Sequence, residues 1–268
     1  MLVHTRLISQ RRLLAILPLA AIAAAGMFAA SSAPAQVPER LPFGVGEQLV
    51  YRVRIPKVKM GGRGVMSVEG PEEVRGAEAY VLRFDFKASL GPIKAANHEQ
   101  SWLDPQRMTA LRFQKRERHP LASLDEAVEL FPEERRWEMA NGQAGESPTD
   151  APLDELSFIY FVRTLPLVRD TIYSFDRHFE PERNPITVRV LGPEAITTNA
   201  GEFATVLVEM RVKDPRHYRG EGVIRINLTD DEQRIPVRIE SVMPQVGSTV
   251  FTLESYTRPA VHVATPAR

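Results

Sequence analysis

The chain contains no cysteine in its 268 residues. Disulfide bonds, thiolate metal sites and cysteine nucleophiles are therefore excluded, and the folded protein must be stabilised by its hydrophobic core. Three common site motifs are also missing: the G-x-S-x-G nucleophile elbow, the G-x-x-x-x-G-K-[ST] phosphate loop and the H-E-x-x-H zinc helix. The sequence thus indicates no catalytic residue, no metal ligand and no cofactor, and it favours a non-enzymatic protein.

An excess of positive charge is missing too, because 34 basic residues balance 34 acidic ones. Nucleic-acid-binding domains need a concentrated basic face, so no nucleic-acid partner is expected.

The first 35 residues have the pattern of an export signal. Three arginines precede an apolar run over residues 13–30, and an A-x-A cleavage pattern ends at Ala35. An uncleaved membrane anchor is the alternative, since the run is just long enough to span a bilayer. We expect cleavage after residue 35, which leaves a mature chain in the periplasm with no membrane span.

The stretch 150–167, DAPLDELSFIYFVRTLPL, contains the clearest helix signal. Asp150 is a suitable N-cap, Pro152 is tolerated in a first turn, and Pro166 ends the helix, so we predict one helix over about 150–165. Its side chains are apolar on nearly every side, which predicts burial. Arg163 is the main exception. It either reaches the rim or pairs with a carboxylate, or it is a cationic group at the mouth of a cavity.

Segments with apolar residues at every second position lie on both sides of this helix. The clearest places Tyr80, Leu82, Phe84, Phe86 and Ala88 on one face of a strand. About a dozen such strands predict a mainly β protein, with a strongly curved antiparallel sheet or half-open barrel around the buried helix. We expect a single domain over 36–268 with a frayed tail from about 259.

Other polar segments give weaker signals. The histidines are dispersed, and the segment 230–232, DDE, lacks the pattern of a calcium loop and is interpreted as a hairpin turn. The segment 115–119, KRERH, is interpreted as a solvated sheet edge, with binding of an anionic headgroup or glycan as the alternative.

Four stretches in order resemble an exported bacterial family known as domain of unknown function 3108. They are FGVGE at 43–47 continuing through Leu49 and Tyr51, and residues 154–167, 194–203 and 228–238. The resemblance implies a β-rich periplasmic or cell-surface domain and supplies no established catalytic residue. Asn227 and Thr229 depart from the family pattern, where tryptophan and serine are common. The overall pattern also resembles the half-open barrels of periplasmic lipoprotein carriers, a similarity of fold that says little about function.

These observations favour a periplasmic protein that binds a lipid-like, apolar or amphipathic ligand, or an envelope partner, in the concave face of a half-barrel. Tyr51, Phe84, Phe86, Tyr160 and Arg163 are the candidate ligand-binding residues. One alternative is a structural or interaction module of the envelope that binds a protein partner and no small ligand. The other is a glycan or lipid hydrolase that uses the carboxylates of Glu47, Glu99 or Asp154.

Overall fold

The computed structural model of the protein describes residues 40–119, 122–215, 218–244 and 247–259. The predicted signal peptide over 1–35 lies outside the described residues, as do residues 260–268 of the predicted tail. The strands are β1 Gln48–Ile55, β2 Met60–Val74, β3 Ala77–Leu90, β4 Ile93–Asp104, β5 Thr109–His119, β6 Ala122–Phe131, β7 Arg136–Met139, β8 Ala144–Glu146, β9 Ile172–Phe175, β10 Ile186–Thr198, β11 Gly201–Val212, β12 Gly222–Thr229, β13 Pro236–Met243 and β14 Gly247–Thr257. The described residues contain one α-helix, α1, which spans Glu155–Val162.

All 14 strands form one antiparallel sheet, in the order β8-β7-β6-β5-β4-β3-β2-β1-β14-β13-β12-β11-β10-β9. Two meanders, β1–β8 and β9–β14, are joined where β1 pairs with β14. The sheet does not close, because its edge strands β8 and β9 have no pairing with each other in the described chain. The predicted curved sheet with one buried helix is thus confirmed.

Helix α1 is buried and shorter than the predicted 150–165. Asp154, not Asp150, is its N-cap, and it forms a capping box with Ser157. The preceding residues are tied to strands instead, since Pro152 accepts a hydrogen bond from the Ala110 amide and Leu153 bridges to His178. Local N-cap preferences placed the start of the helix too early, because the backbone of the residues before Asp154 pairs with distant segments instead. No described helix is long and apolar enough to cross a membrane.

The helix lies on the concave face, toward one end of the half-barrel. Its last turn reaches the β12–β13 connection at Gln233, and the segment before its first turn reaches Ala110 at the start of β5. We call this the helix end. Because neighbouring strands are antiparallel, the β1–β2 connection (56–59) and the β3–β4 connection (91–92) lie at the opposite end, which we call the far end.

Within the described part of the chain, three apolar clusters stabilise the sheet. The largest packs around α1 and includes Leu49, Leu82, Phe113 and Val208. A second lies on the concave face toward the far end and consists of Val53, Ile55, Met60, Phe86, Ala88 and Ala95. The third, on the outer face, contains Trp102 and is covered by the tip of the β2–β3 hairpin, where Glu72 accepts a hydrogen bond from the indole.

Glycines in β2 allow strands to approach closely. A Cβ at Gly62 would lie 2.0 Å from the Lys87 carbonyl oxygen. The sequence predicts a hairpin connection over 57–64, but β2 begins at Met60, so the glycines of this stretch are strand residues.

Candidate functional site

Three of the five predicted site residues meet in the sealed core at the helix end. The Arg163 guanidinium donates to both carboxylate oxygens of Glu47, at 2.6 and 2.8 Å. It also donates to the carbonyls of Pro42 and Gln233, at 3.0 and 2.9 Å. The ring of Tyr160 lies within cation–π distance of the same guanidinium, at 5.4 Å. Tyr51 lies near this group and donates its hydroxyl to the Pro236 carbonyl at 2.8 Å.

The electrostatics at Arg163 are those of a closed ion pair. Burial lowers the pKa of the guanidinium, but the Glu47 carboxylate outweighs burial and raises it. Burial raises the pKa of the Tyr51 and Tyr160 hydroxyls, so both stay neutral and act as hydrogen-bond donors. Of the two sequence interpretations of Arg163, pairing with a carboxylate describes its contacts. The pair anchors the last turn of α1 to the segment before β1 and to the β12–β13 connection.

The other two predicted residues, Phe84 and Phe86, lie farther toward the far end. Both rings pack edge-to-face on Phe251 of β14, with centroids 5.6 and 6.0 Å away. Phe251 also packs on Tyr51 at 6.3 Å, and so connects the two groups of predicted residues. Sequence reasoning missed Phe251. The available signal was the alternation of Phe251 and Leu253 with Thr252 and Glu254.

Polar side chains lie beside this aromatic group on the concave face. The register pairs Phe84 with Glu99 and Phe86 with Asn97, and it pairs Glu99 with Lys115 on the next strand. Directly paired residues of antiparallel strands project to the same face, so these side chains are neighbours. The Asn97 amide donates to Glu99 at 2.7 Å, and the Lys115 ammonium lies 3.8 Å from Glu99 and 2.9 Å from Glu117.

The interpretation of segment 115–119 as a sheet edge is wrong, because β5 pairs with β4 on one side and β6 on the other. Lys115 faces the concave side, because it lies opposite Glu99 in the register, and it is mostly buried. Burial raises the pKa of Glu99. Burial alone would lower the pKa of Lys115, but the carboxylates of Glu99, Glu155 and Glu117 outweigh it, so the pKa of Lys115 is raised. The ammonium is thus held as a cation among acidic groups.

The first turn of α1 extends this polar group. Glu155 pairs with Arg183 at 2.6 Å, and Arg183 lies 3.7 Å from Asp214. Burial raises the pKa of Glu155, but Arg183 and Lys115 outweigh it, so the net shift is downward. Nothing in the sequence around Arg183 indicated this role, because its partners come from distant segments.

The acids considered for hydrolysis already have structural partners. Glu47 is bound to Arg163, and Glu99 lies beside Lys115. Asp154 accepts hydrogen bonds from the amides of Leu156 and Ser157 and, at 2.6 Å, from the Ser101 hydroxyl. Burial raises the pKa of Asp154 to about 7, against these hydrogen bonds. These contacts favour structural roles for all three.

Other groups with chemical potential lie elsewhere. His98 pairs with Asp85 at 2.7 Å, on the strand positions that face outward. Asp231 caps its own turn by accepting from the amides of Gln233 and Arg234, which agrees with the predicted hairpin turn. No cluster of three or more potential metal ligands occurs within the described ranges.

Two surface recesses do not involve the predicted residues. One, of about 240 Å³, is lined by side chains between 124 and 127 and between 139 and 143. The other, of about 490 Å³, is lined by side chains that include Arg135, Ser147 and Pro181. Neither contacts Tyr51, Phe84, Phe86, Tyr160 or Arg163, so the ligand-binding role of these five residues stays a prediction.

Comparisons with known proteins match this architecture. A family described as protein of unknown function (DUF3108) matches residues 50–254. A β-barrel-like protein of domain of unknown function DUF1849 from Brucella abortus is similar in structure, with a TM-score of 0.54 and 11% identity over 81% of this chain and 99% of that one. This similarity shows the fold alone.

A protein with a YmcC-like fold from Bacteroides fragilis gives a TM-score of only 0.33 at 12% identity, over 81% of this chain and 98% of that one, and carries no argument. A search of curated proteins finds no match to the chain.

Proposed function

The chain belongs to the DUF3108 family, and from the concave face of its half-barrel we propose that it binds an amphipathic ligand without catalysing a reaction. The observation that carries this proposal is the pairing of half-buried aromatic rings with charged groups on one face. Phe84 and Phe251 are only partly covered by the protein, although each packs on other rings. Ligand pockets of this kind combine apolar surface with a few convergent polar groups.

The aromatic side would hold the apolar part of the ligand. Phe84, Phe86 and Phe251 form a continuous apolar surface that joins the second apolar cluster. Aromatic side chains contribute large contact areas, so a small number of them is enough to bind an acyl chain or a ring system. Tyr51, Tyr160 and Arg163 are fully buried in the described structure, so they would position this surface without contacting the ligand directly.

The polar side would hold a group that donates hydrogen bonds. The side-chain oxygen of Asn97 and one carboxylate oxygen of Glu155 are buried and accept no hydrogen bond from any described residue. Buried acceptors normally have a donor, so a hydroxyl or ammonium group of a ligand would complete them. Lys115 and Arg183 offset part of the negative charge at this position.

We further propose that the protein acts in the periplasm, which the export-signal pattern of residues 1–35 supports. The ligand would then be an amphiphile of the cell envelope. This proposal rests on the leader sequence and is independent of the geometry of the concave face.

Native mass spectrometry of protein isolated from the cells that export it tests the proposal, together with organic extraction. We expect a bound amphiphile, and saturable binding of the apolar fluorophore N-phenylnaphthylamine to the extracted protein. Phe84→Ser combined with Phe251→Ser should abolish both. Phe131→Ser is the matched control, because Phe131 lies under Arg136 on the outer face. Folding of each variant is checked by circular dichroism.

Two results would overturn the proposal. One is a protein that carries no amphiphile and binds the fluorophore without saturation. The other is fluorophore binding by the folded double variant that equals binding by the Phe131→Ser control.

A further inference from the structure

Two neighbouring connections at the far end expose apolar side chains. Val58, Leu90 and Ile93 are each 46% exposed, and they belong to the β1–β2 and β3–β4 connections or their borders. These connections are adjacent because β2 pairs with β3, with Gly61 opposite Ser89. We call residues 56–60 and 89–94 the lip.

The lip carries positive charge only. Between Glu47 and Glu69 the sequence has five basic residues and no acidic one, and between Asp85 and Glu99 it has two lysines and no acidic residue. Lys57, Lys59 and Lys94 are exposed beside the three apolar side chains. No described acidic side chain forms an ion pair with Lys59 or Lys94. Such an arrangement attracts a negatively charged surface.

Apolar surface continues from the lip into the concave face. Ile55 and Met60, which flank the β1–β2 connection, are buried in the same cluster as Phe86 and Ala95. Leu90 and Ile93 pair with each other and continue the line of inward-facing positions that runs through Ala88 and Ala95. Exposed apolar groups that extend a buried cluster differ from isolated surface residues, which need no explanation.

We infer that the lip docks on the surface of an anionic lipid bilayer. Val58, Leu90 and Ile93 would enter the boundary between headgroups and acyl chains, while the lysines contact the anionic headgroups. Basic residues close to an anionic membrane and apolar side chains that enter the interface are the two contributions to this kind of binding.

The composition of the lip favours a bilayer over a protein partner. Protein interfaces are enriched in aromatic residues, methionine and arginine, and are depleted in lysine. The exposed lip residues are instead aliphatic residues, lysines, glycine, proline and one serine, with no aromatic residue and no arginine. Lysine also suits a fluid surface of headgroups, because its ammonium is a compact charge on a flexible stem that needs no fixed partner geometry.

Vesicle flotation tests the inference. The protein and all its variants are isolated in the form that the cells export, so that they share one N-terminus. We expect binding to an equal mixture of phosphatidylglycerol and phosphatidylcholine, weakened by salt, and little binding to phosphatidylcholine alone. Each of Lys59→Gln and Lys94→Gln should weaken binding about fivefold, and together about 25-fold. Arg189→Gln also removes one positive charge, from an exposed residue of β10 outside the lip, and should leave binding unchanged.

The absence of native cysteine allows a direct test of insertion. A polarity-sensitive fluorophore attached to the single cysteine of Ile93→Cys should shift its emission to the blue with anionic vesicles. The same fluorophore on Ile172→Cys should not respond, although Ile172 is 39% exposed on β9.

Equal binding to neutral and anionic vesicles, or an equal response at positions 93 and 172, would overturn the inference. So would capture of a protein partner by the lip without any vesicle binding. The inference does not depend on the proposed ligand. An empty concave face with a lip that binds vesicles would refute only the proposed function, and a filled concave face with an inert lip would refute only docking.

Discussion

Arg163 donates two hydrogen bonds to the carboxylate of Glu47, 116 positions earlier in the chain, and both side chains are almost completely buried. A charge in this position is tolerated only while its partner is present, because an unpaired buried ion loses hydration without compensation. The pair also fixes the direction of α1, since the Nη2 nitrogen of Arg163 donates in addition to backbone carbonyls of two different segments.

The first prediction concerns this ion pair. Glu47→Gln should lower the free energy of unfolding by about 3–5 kcal/mol, because it leaves the guanidinium buried and unpaired. Glu254→Gln, which removes the exposed partner of Arg52, should cost less than about 1 kcal/mol. Urea denaturation measures both. The double change Glu47→Leu with Arg163→Met should recover part of the loss, and equal losses for the buried and exposed pairs would contradict the prediction.

A second prediction follows from Asp154, whose pKa burial raises to about 7 in the folded protein. An unfolded chain has a value of about 3.9, so the native state holds this proton more tightly. The resulting stabilisation is complete below about pH 4 and is lost as pH rises through about 7, on the order of 4 kcal/mol in all.

Asp154→Asn keeps the cap and cannot titrate, so its stability relative to wild type should rise between pH 4 and 8. Urea unfolding at several pH values measures this difference, and parallel pH profiles for the two proteins would refute the assignment. Asp154→Ala serves as a comparison. It cannot titrate either, and loss of the cap should make it about 0.5–2 kcal/mol less stable than Asp154→Asn at either pH.

A third prediction concerns Trp137, which packs directly on Gly145. A Cβ at Gly145 would lie 2.7 Å from the indole, so Gly145→Ala should cost about 1–3 kcal/mol and change the tryptophan fluorescence. Gly61→Ala is the control, since its Cβ would meet only one atom, at 3.9 Å. Similar losses for the two substitutions would show that the close packing is not the cause.

The fourth prediction concerns Glu99, whose pKa burial raises and the Lys115 ammonium lowers in part. Lys115→Met should raise the pKa of Glu99 further, because the nearest cation is removed. Carbon-13 NMR titration of labelled glutamates measures the shift. Lys87→Met, on the outward-facing side of β3, should leave Glu99 unchanged, and an equal shift in both variants would point to a general effect of net charge.

Alternation of apolar residues was sufficient to predict most of the sheet. The interior positions of β3, Leu82, Phe84 and Phe86, follow directly from the sequence, because a half-buried strand must alternate. The same pattern gave the wrong result for the KRERH segment, because charged residues at every position suggest a strand exposed to solvent on both faces. Lys115 is instead mostly buried, where it interacts with the carboxylates of Glu99 on β4 and Glu155 on α1.

The site was harder to predict than the fold. Phe251 links Tyr51 to Phe84 and Phe86, and Glu47 is the partner of Arg163. Neither Phe251 nor Glu47 was chosen as a ligand-binding candidate. Pairing of β1 with β14 brings Phe251 beside Val53, although the two residues are far apart in the sequence. No local pattern encodes such a contact.

The pairing of β1 with β14 also sets the order of assembly. Strands β1–β8 can form as they emerge, each on its predecessor, and so can β9–β14. The pairing between β1 and β14, which joins the two meanders, can form only after β14 has been synthesised. Contacts between residues so far apart in the sequence are also slow to form. A chain that still lacks β14 would therefore consist of two incomplete parts, and the half-barrel would be completed only by the last strand to be made.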